Sequence, residues 1–257
     1  MTEFVTTSDG TRIAFEREGA GPVLLLLHNL SGSRRYWRQS GYFDALAPHF
    51  TVAAMDTRGF GESDAPTVPT AYAEQRILDD VMAVADALGA QHTILWGHSY
   101  GATIARQLAA TSDRVTRAVM AGTAFGPIFT EADATGAAAR LEPLAQAQES
   151  TDPEAAVAAL GVSPEERARA LAFPARSTLL TIRSMTTWRP IQPSDLRSPA
   201  LVVTGTRDTQ ALAALDEQRE AIAAAGIEVV TLPNLDHGQL VTECAVVLSA
   251  VLPFLLA

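Results

Sequence analysis

The pentapeptide Gly97-His98-Ser99-Tyr100-Gly101 can do covalent chemistry. It follows an apolar run, Thr93-Ile94-Leu95-Trp96, and precedes a helical pattern from Tyr100 to Ala110. In that context the chain reverses so sharply at the serine that the residues two before and two after it crowd each other. Glycine at both places removes the clash, and Ser99 Oγ projects into the open as a nucleophile. The helix that follows aims its free N–H groups at the point where negative charge develops.

A serine hydroxyl needs a base to take its proton and an acid to orient that base. For a strand–elbow–helix serine the chain order is serine, acid, histidine. Of the five histidines, His28, His49, His92 and His98 precede Ser99, so His237 is the base by elimination. It sits in a loop, Asn234-Leu235-Asp236-His237-Gly238, after the last strand-like run. The acid should stand at the carboxyl end of a strand. Asp208, in Gly205-Thr206-Arg207-Asp208, meets that condition, whereas Asp216, Glu217 and Glu220 fall within a helical pattern and Asp236 adjoins the histidine itself. The oxyanion needs two donors. One is the Tyr100 backbone N–H. The other comes from the loop after Val23–Leu27, His28-Asn29-Leu30-Ser31-Gly32-Ser33, where Leu30 N–H is the expected donor.

Six apolar runs must carry these groups: Val23–Leu27, Thr51–Met55, Thr93–Trp96, Arg117–Ala121, Ala200–Thr204 and Ile227–Leu232. Short apolar runs bounded by turn residues are strands covered on both faces. Helical patterns at Glu74–Leu88, Tyr100–Ala110 and Leu212–Ala225 alternate with them, and Leu240–Leu256 reads as a final helix. The fold class is therefore α/β, a mostly parallel sheet with helices on both faces. Val5–Arg17, folded around Ser8-Asp9-Gly10, adds an antiparallel hairpin at one edge. Residues 125–196 break the rhythm. They hold no strand-like run and are punctuated by Pro153, Pro164, Pro174 and Pro190, so three or four helices are expected there. The division is a core of residues 1–124 and 197–257, with 125–196 inserted as a small helical cap.

Composition narrows the chemistry. The formal net charge is −10, against the clustered cations that nucleic acid or an anionic membrane requires. All 19 basic residues are arginine, which excludes a Schiff-base lysine, a phosphate-loop lysine and a lysine base. The single cysteine, Cys244, permits no intrachain disulfide and reads as a small core residue. The first residues lack a basic start before an apolar run, and the apolar C-terminal stretch is short and carries Pro253. A cytoplasmic protein without metal or cofactor is expected; oligomeric state is left open.

Taken together, Ser99, Asp208, His237 and the His28-Asn29-Leu30 loop resemble the α/β-hydrolase family, in its esterase, lactonase and cofactor-free haloperoxidase-like branches. Asp56-Thr57-Arg58-Gly59-Phe60-Gly61-Glu62-Ser63 is similar to that family's structural Asp-x-Arg-Gly-x-Gly-x-Ser turn. Where similar proteins carry His-Gly-x, this chain has Asn29, a residue tolerant of left-handed backbone and so expected to preserve the loop. The resemblance makes 125–196 a lid. It implies acyl transfer from a small ester or lactone. Epoxide- and halide-cleaving members use aspartate at the elbow and epoxide-opening ones use cap tyrosines, while hydroxynitrile lyases of the fold need a lysine. The cap supplies Phe125, Ile128, Phe129, Phe173, Met185 and Trp188, of which Phe125 and Trp188, with Asn29, are the expected substrate contacts. Two other readings stay open: a perhydrolase or acyltransferase using the same triad, and a receptor that keeps the site but turns over slowly.

Overall fold

The computed structural model describes residues 1–257. An eight-stranded sheet runs β1 (Glu3–Thr6), β2 (Arg12–Glu18), β3 (Val23–Leu27), β4 (Thr51–Met55), β5 (Thr93–His98), β6 (Val115–Ala121), β7 (Ala200–Gly205) and β8 (Glu228–Leu232). The strand order is β1-β2-β4-β3-β5-β6-β7-β8. The hairpin β1–β2 pairs antiparallel with itself and with β4, and every later pair is parallel.

Helices cover both faces. They are α1 (Arg35–Gln39), α2 (Tyr42–Leu46), α3 (Glu74–Ala87), α4 (Tyr100–Thr111), α5 (Glu131–Gln148), α6 (Pro153–Ala159), α7 (Pro164–Ala172), α8 (Ala175–Met185), α9 (Thr209–Glu217), α10 (Arg219–Ala224), α11 (Gln239–Thr242) and α12 (Cys244–Leu256). Strands β3 and β5 are buried at every position, so their side chains split between two cores: Leu25, Leu27 and Leu95 face α3 and α4, while Leu24, Leu26 and Trp96 face Trp37, Tyr42 and α12. No helix is long and apolar enough to cross a membrane.

Four helices, α5 to α8, lie between β6 and β7. Pro153 and Pro164 open α6 and α7, where a missing N–H costs nothing, and Asp152 and Ser163 cap them. Thr130 and Asp133 close a reciprocal cap on α5. Helix α8 is tied to the core: Tyr72 O–H donates to Ser177 Oγ at 3.1 Å, and Ser184 Oγ donates to the Tyr72 carbonyl at 2.5 Å.

Two expected helices are broken. The Leu212–Ala225 pattern divides at Gln218, whose side chain leaves the helical register to pair with both backbone polar groups of Phe125, at 3.1 and 3.0 Å. The Leu240–Leu256 helix divides at Glu243, with ψ of 57°, into α11 and α12. Cys244 is thus the half-buried first residue of α12, and burial pushes its thiol up to about 11.

Candidate active site

The elbow is built as its glycines require. A Cβ on Gly97 would collide with the Gly101 backbone, and one on Gly101 with the Leu27 carbonyl of the neighbouring strand. Between them Ser99 adopts φ 54°, ψ −109°, a region that costs a non-glycine residue roughly 1–3 kcal/mol. Ser99 N–H donates to the Ala121 carbonyl at 2.8 Å, and its carbonyl accepts Thr103 N–H at 3.0 Å. These bonds hold the strain in place from two sides.

His237 and Asp208 come together. Asp208 follows β7 and is buried, while the loop after β8 brings His237 over it. Imidazole Nδ1–H donates to Asp208 Oδ2 at 2.8 Å. That bond fixes the tautomer and leaves Nε2 as the acceptor. No hydrogen bond within 3.5 Å joins His237 to Ser99, but the two side chains line one cavity of about 350 Å³ with Asp208. Tyr100 is the first residue of α4, so its N–H is free of intrahelical bonding. Leu30 lines the same cavity, and its N–H has no backbone acceptor.

The loop carrying Leu30 differs from expectation. Asn29 is not left-handed; Ser31 is, at φ 66°. The reason is a turn closed by Gly32 N–H on the Asn29 carbonyl at 3.0 Å, in which the positive φ falls on the third residue. The Asn29 side chain folds over Gly32, where a Cβ would strike its Oδ1, and it does not line the cavity. Its carbonyl also accepts His28 Nδ1–H at 2.7 Å, while His28 Nε2 accepts Thr57 N–H at 3.0 Å.

Of the two aromatic contacts expected from the cap, Phe125 lines the cavity beside Ile128, Phe129 and Met185. Trp188 does not. Its indole N–H donates to Ser184 Oγ at 3.0 Å and its ring packs 6.4 Å from that of Tyr100, which makes it a wedge beneath the returning chain.

Three site residues escape a reading of motifs. His98 is fully enclosed; burial, and next the charge of a protonated His237, push its imidazole down to about 4. The neutral ring donates Nε2–H to the His237 carbonyl at 2.8 Å. Gly122, at φ 66°, lies so close to His237 that a Cβ there would stand 2.9 Å from Cε1. Arg106 lines the cavity from α4. The signal for Arg106 was a lone cation seven residues beyond the serine on an Ala/Leu-rich helix; His98 stands at a variable place of the pentapeptide, which gives it no role, and nothing marked Gly122. The Asp56–Ser63 turn serves structure. Asp56 accepts Arg34 N–H at 2.7 Å and Glu62 N–H at 2.9 Å, and the Arg58 guanidinium grips Asp80 with two bonds of 2.6 Å. No group of three or more His, Cys, Asp or Glu side chains is arranged to hold a metal ion.

Comparison with known proteins agrees with this architecture. Residues 22–149 match the family model described as alpha/beta hydrolase fold. A hydrolase from Pseudomonas aeruginosa PA01 superposes with a TM-score of 0.76 at 27% identity, over 100% of this chain and 98% of that one. The enol-lactonase of Burkholderia xenovorans LB400 superposes with a TM-score of 0.77 over 99% of this chain and 100% of that one; at 22% identity the likeness is one of fold. Among curated sequences, epoxide hydrolase 3 of Siraitia grosvenorii is 35% identical over 99 residues, which are 38% of this chain and 31% of that protein. The matched segment thus spans about a third of that relative's length.

Proposed function

The chain belongs to the α/β-hydrolase fold family, and from that premise we propose that it is a serine hydrolase cleaving an ester or lactone through an acyl-enzyme on Ser99. The observation that carries this reading is the 2.8 Å bond from His237 to Asp208 in a cavity shared with the strained Ser99.

In the proposed reaction His237 Nε2 takes the Ser99 proton as Oγ attacks the substrate carbonyl. The Leu30 and Tyr100 amides hold the resulting oxyanion, a role worth about 2.7–4 kcal/mol for one such donor. The tetrahedral species collapses, the C–O bond breaks, and His237 Nε2–H gives its proton to the departing alkoxide. A water then attacks the acyl-enzyme, losing its proton to His237, and the acid leaves as Ser99 regains a proton. Asp208 keeps its negative charge throughout, orienting and stabilising the imidazolium. Residues 125–196 act as the lid, placing Phe125, Ile128 and Phe129 over the acyl chain.

The epoxide hydrolase relative favours a second reading, the opening of an epoxide. A hydroxyl at position 99 supports acyl transfer instead, since epoxide-cleaving members of the family present a carboxylate there. A fluorophosphonate probe decides. Wild-type protein should be labelled at Ser99, S99A should not, and p-nitrophenyl esters or lactones should be turned over while styrene oxide is not. An unlabelled, folded wild-type protein would sink the proposal.

A further inference from the structure

A cation stands in the wall of the same cavity, and the proposed mechanism does not use it. Arg106 is 2% exposed. Its guanidinium donates to the carbonyls of Ala124 and Gly126, the latter at 3.3 Å, and Nε has no partner. No carboxylate acts on it; burial alone lowers it, to about 10, so it stays charged at neutral pH. The other buried arginines of this chain, Arg34 and Arg58, each hold an aspartate. A buried charge without a counter-charge is costly, and proteins normally pair it.

Its position is informative. Ser99 stands at the head of α4, Thr103 and Arg106 follow on the helix at the spacing of one face, and all three line the cavity. Seven residues at 1.5 Å each separate Ser99 and Arg106 by about 10 Å along the helix. The arginine side chain leans back toward the N-terminus and shortens that gap. Leu30, Phe125, Ile128, Phe129 and Met185 form the apolar part of the wall, and besides the triad residues its other polar side chains are the neutral Thr123 and Gln210. A guanidinium is a planar fork matched to a carboxylate.

We propose that the ester or lactone taken by this site carries a carboxylate several carbons from its scissile carbonyl, and that Arg106 binds that carboxylate. This rests on Ser99 being the nucleophile. The substrate enters with its carbonyl at Ser99, its short carbon chain against the aromatic wall and its anionic end at Arg106. It supplies the counter-charge that the protein itself withholds.

The test uses the methyl monoesters of succinate, glutarate and adipate beside their neutral dimethyl esters. Wild type should prefer the best monoester over its diester by at least tenfold in kcat/KM. In R106M that ratio should fall at least tenfold, chiefly through KM, with R106K intermediate. If Arg106 only clamps Ala124 and Gly126, R106M loses equally on both esters and the proposal fails. It also fails if wild type shows no preference for the monoester, a result that needs no variant to fold. Calorimetric titration of S99A with the monoester and the diester separates the two hypotheses. Monoester-selective binding without any turnover by wild type keeps the anion site and removes the serine mechanism. Turnover without selectivity does the reverse.

Discussion

His98 Nε2 lies 2.8 Å from the carbonyl oxygen of His237, so the residue just before Ser99 holds the backbone of the proposed base. The two halves of the site, 139 residues apart in sequence, are joined by a bond that uses neither the Ser99 nor the His237 side chain. H98F should therefore lower kcat between about ten- and a hundredfold, as a misplacement of about 1 Å does, with a smaller change in KM. Steady-state kinetics on an ester substrate check this.

The same histidine makes stability depend on pH. Burial holds its folded value at about 4, against 6.5 when unfolded. Between those values the unfolded chain binds the extra proton, so stability is full above about pH 6.5 and falls as pH drops toward 4. The slope contributed is up to about 1.4 kcal/mol per pH unit. His28, also buried and lowered, acts in the same sense. Urea unfolding at pH 7 and pH 5 should show the loss, and H98F should reduce it without abolishing it.

Gly122 bears on the imidazole directly. In G122A the new methyl would meet Cε1 at 2.9 Å and Nδ1 at 3.0 Å, and the residue would keep a left-handed φ. Folding should weaken by more than about 1 kcal/mol, and kcat should fall well beyond what that loss explains. A variant with unaltered kcat would show that His237 gives way freely.

The Asp208 side chain caps no helix N–H, and the hydrogen bond it makes is the one to His237. D208N should leave thermal stability nearly unchanged while kcat drops about 10³- to 10⁴-fold, because the amide favours the wrong tautomer. Calorimetry and turnover on one preparation test both halves.

Asp80 presents the opposite case. It is buried against Arg58 and lies away from the cavity. D80A strands a buried guanidinium and should cost about 3–5 kcal/mol of stability. At temperatures where the variant stays folded, activity per folded molecule should match wild type.

Much of this was legible because chemistry and fold here share the same constraints. A serine between two glycines after a buried strand has one local geometry, and the single downstream histidine is the one that the fold brings to Asp208 and to the cavity of Ser99. The broken helices were not legible. Gln218 departs from its helix to bind the backbone of Phe125, 93 residues away, and periodicity carries no record of that partner. The Asn29 turn failed for a related reason: residue preference put the positive φ on Asn29, while the closing bond from Gly32 put it on Ser31. Trp188 was read from its type and place in the chain, but its N–H had a closer acceptor in Ser184. Arg106 was visible as a letter; its isolation from every carboxylate belongs to the folded chain alone.

Helix α4 is buried from Tyr100 through Ala110. It can leave its place only when the sheet around it comes apart. Ser99 at its head, the proposed nucleophile, therefore shares the lifetime of the whole fold. Heat should silence this site all at once, at the melting transition and not before it, and its amide protons should be among the last in the chain to exchange with solvent.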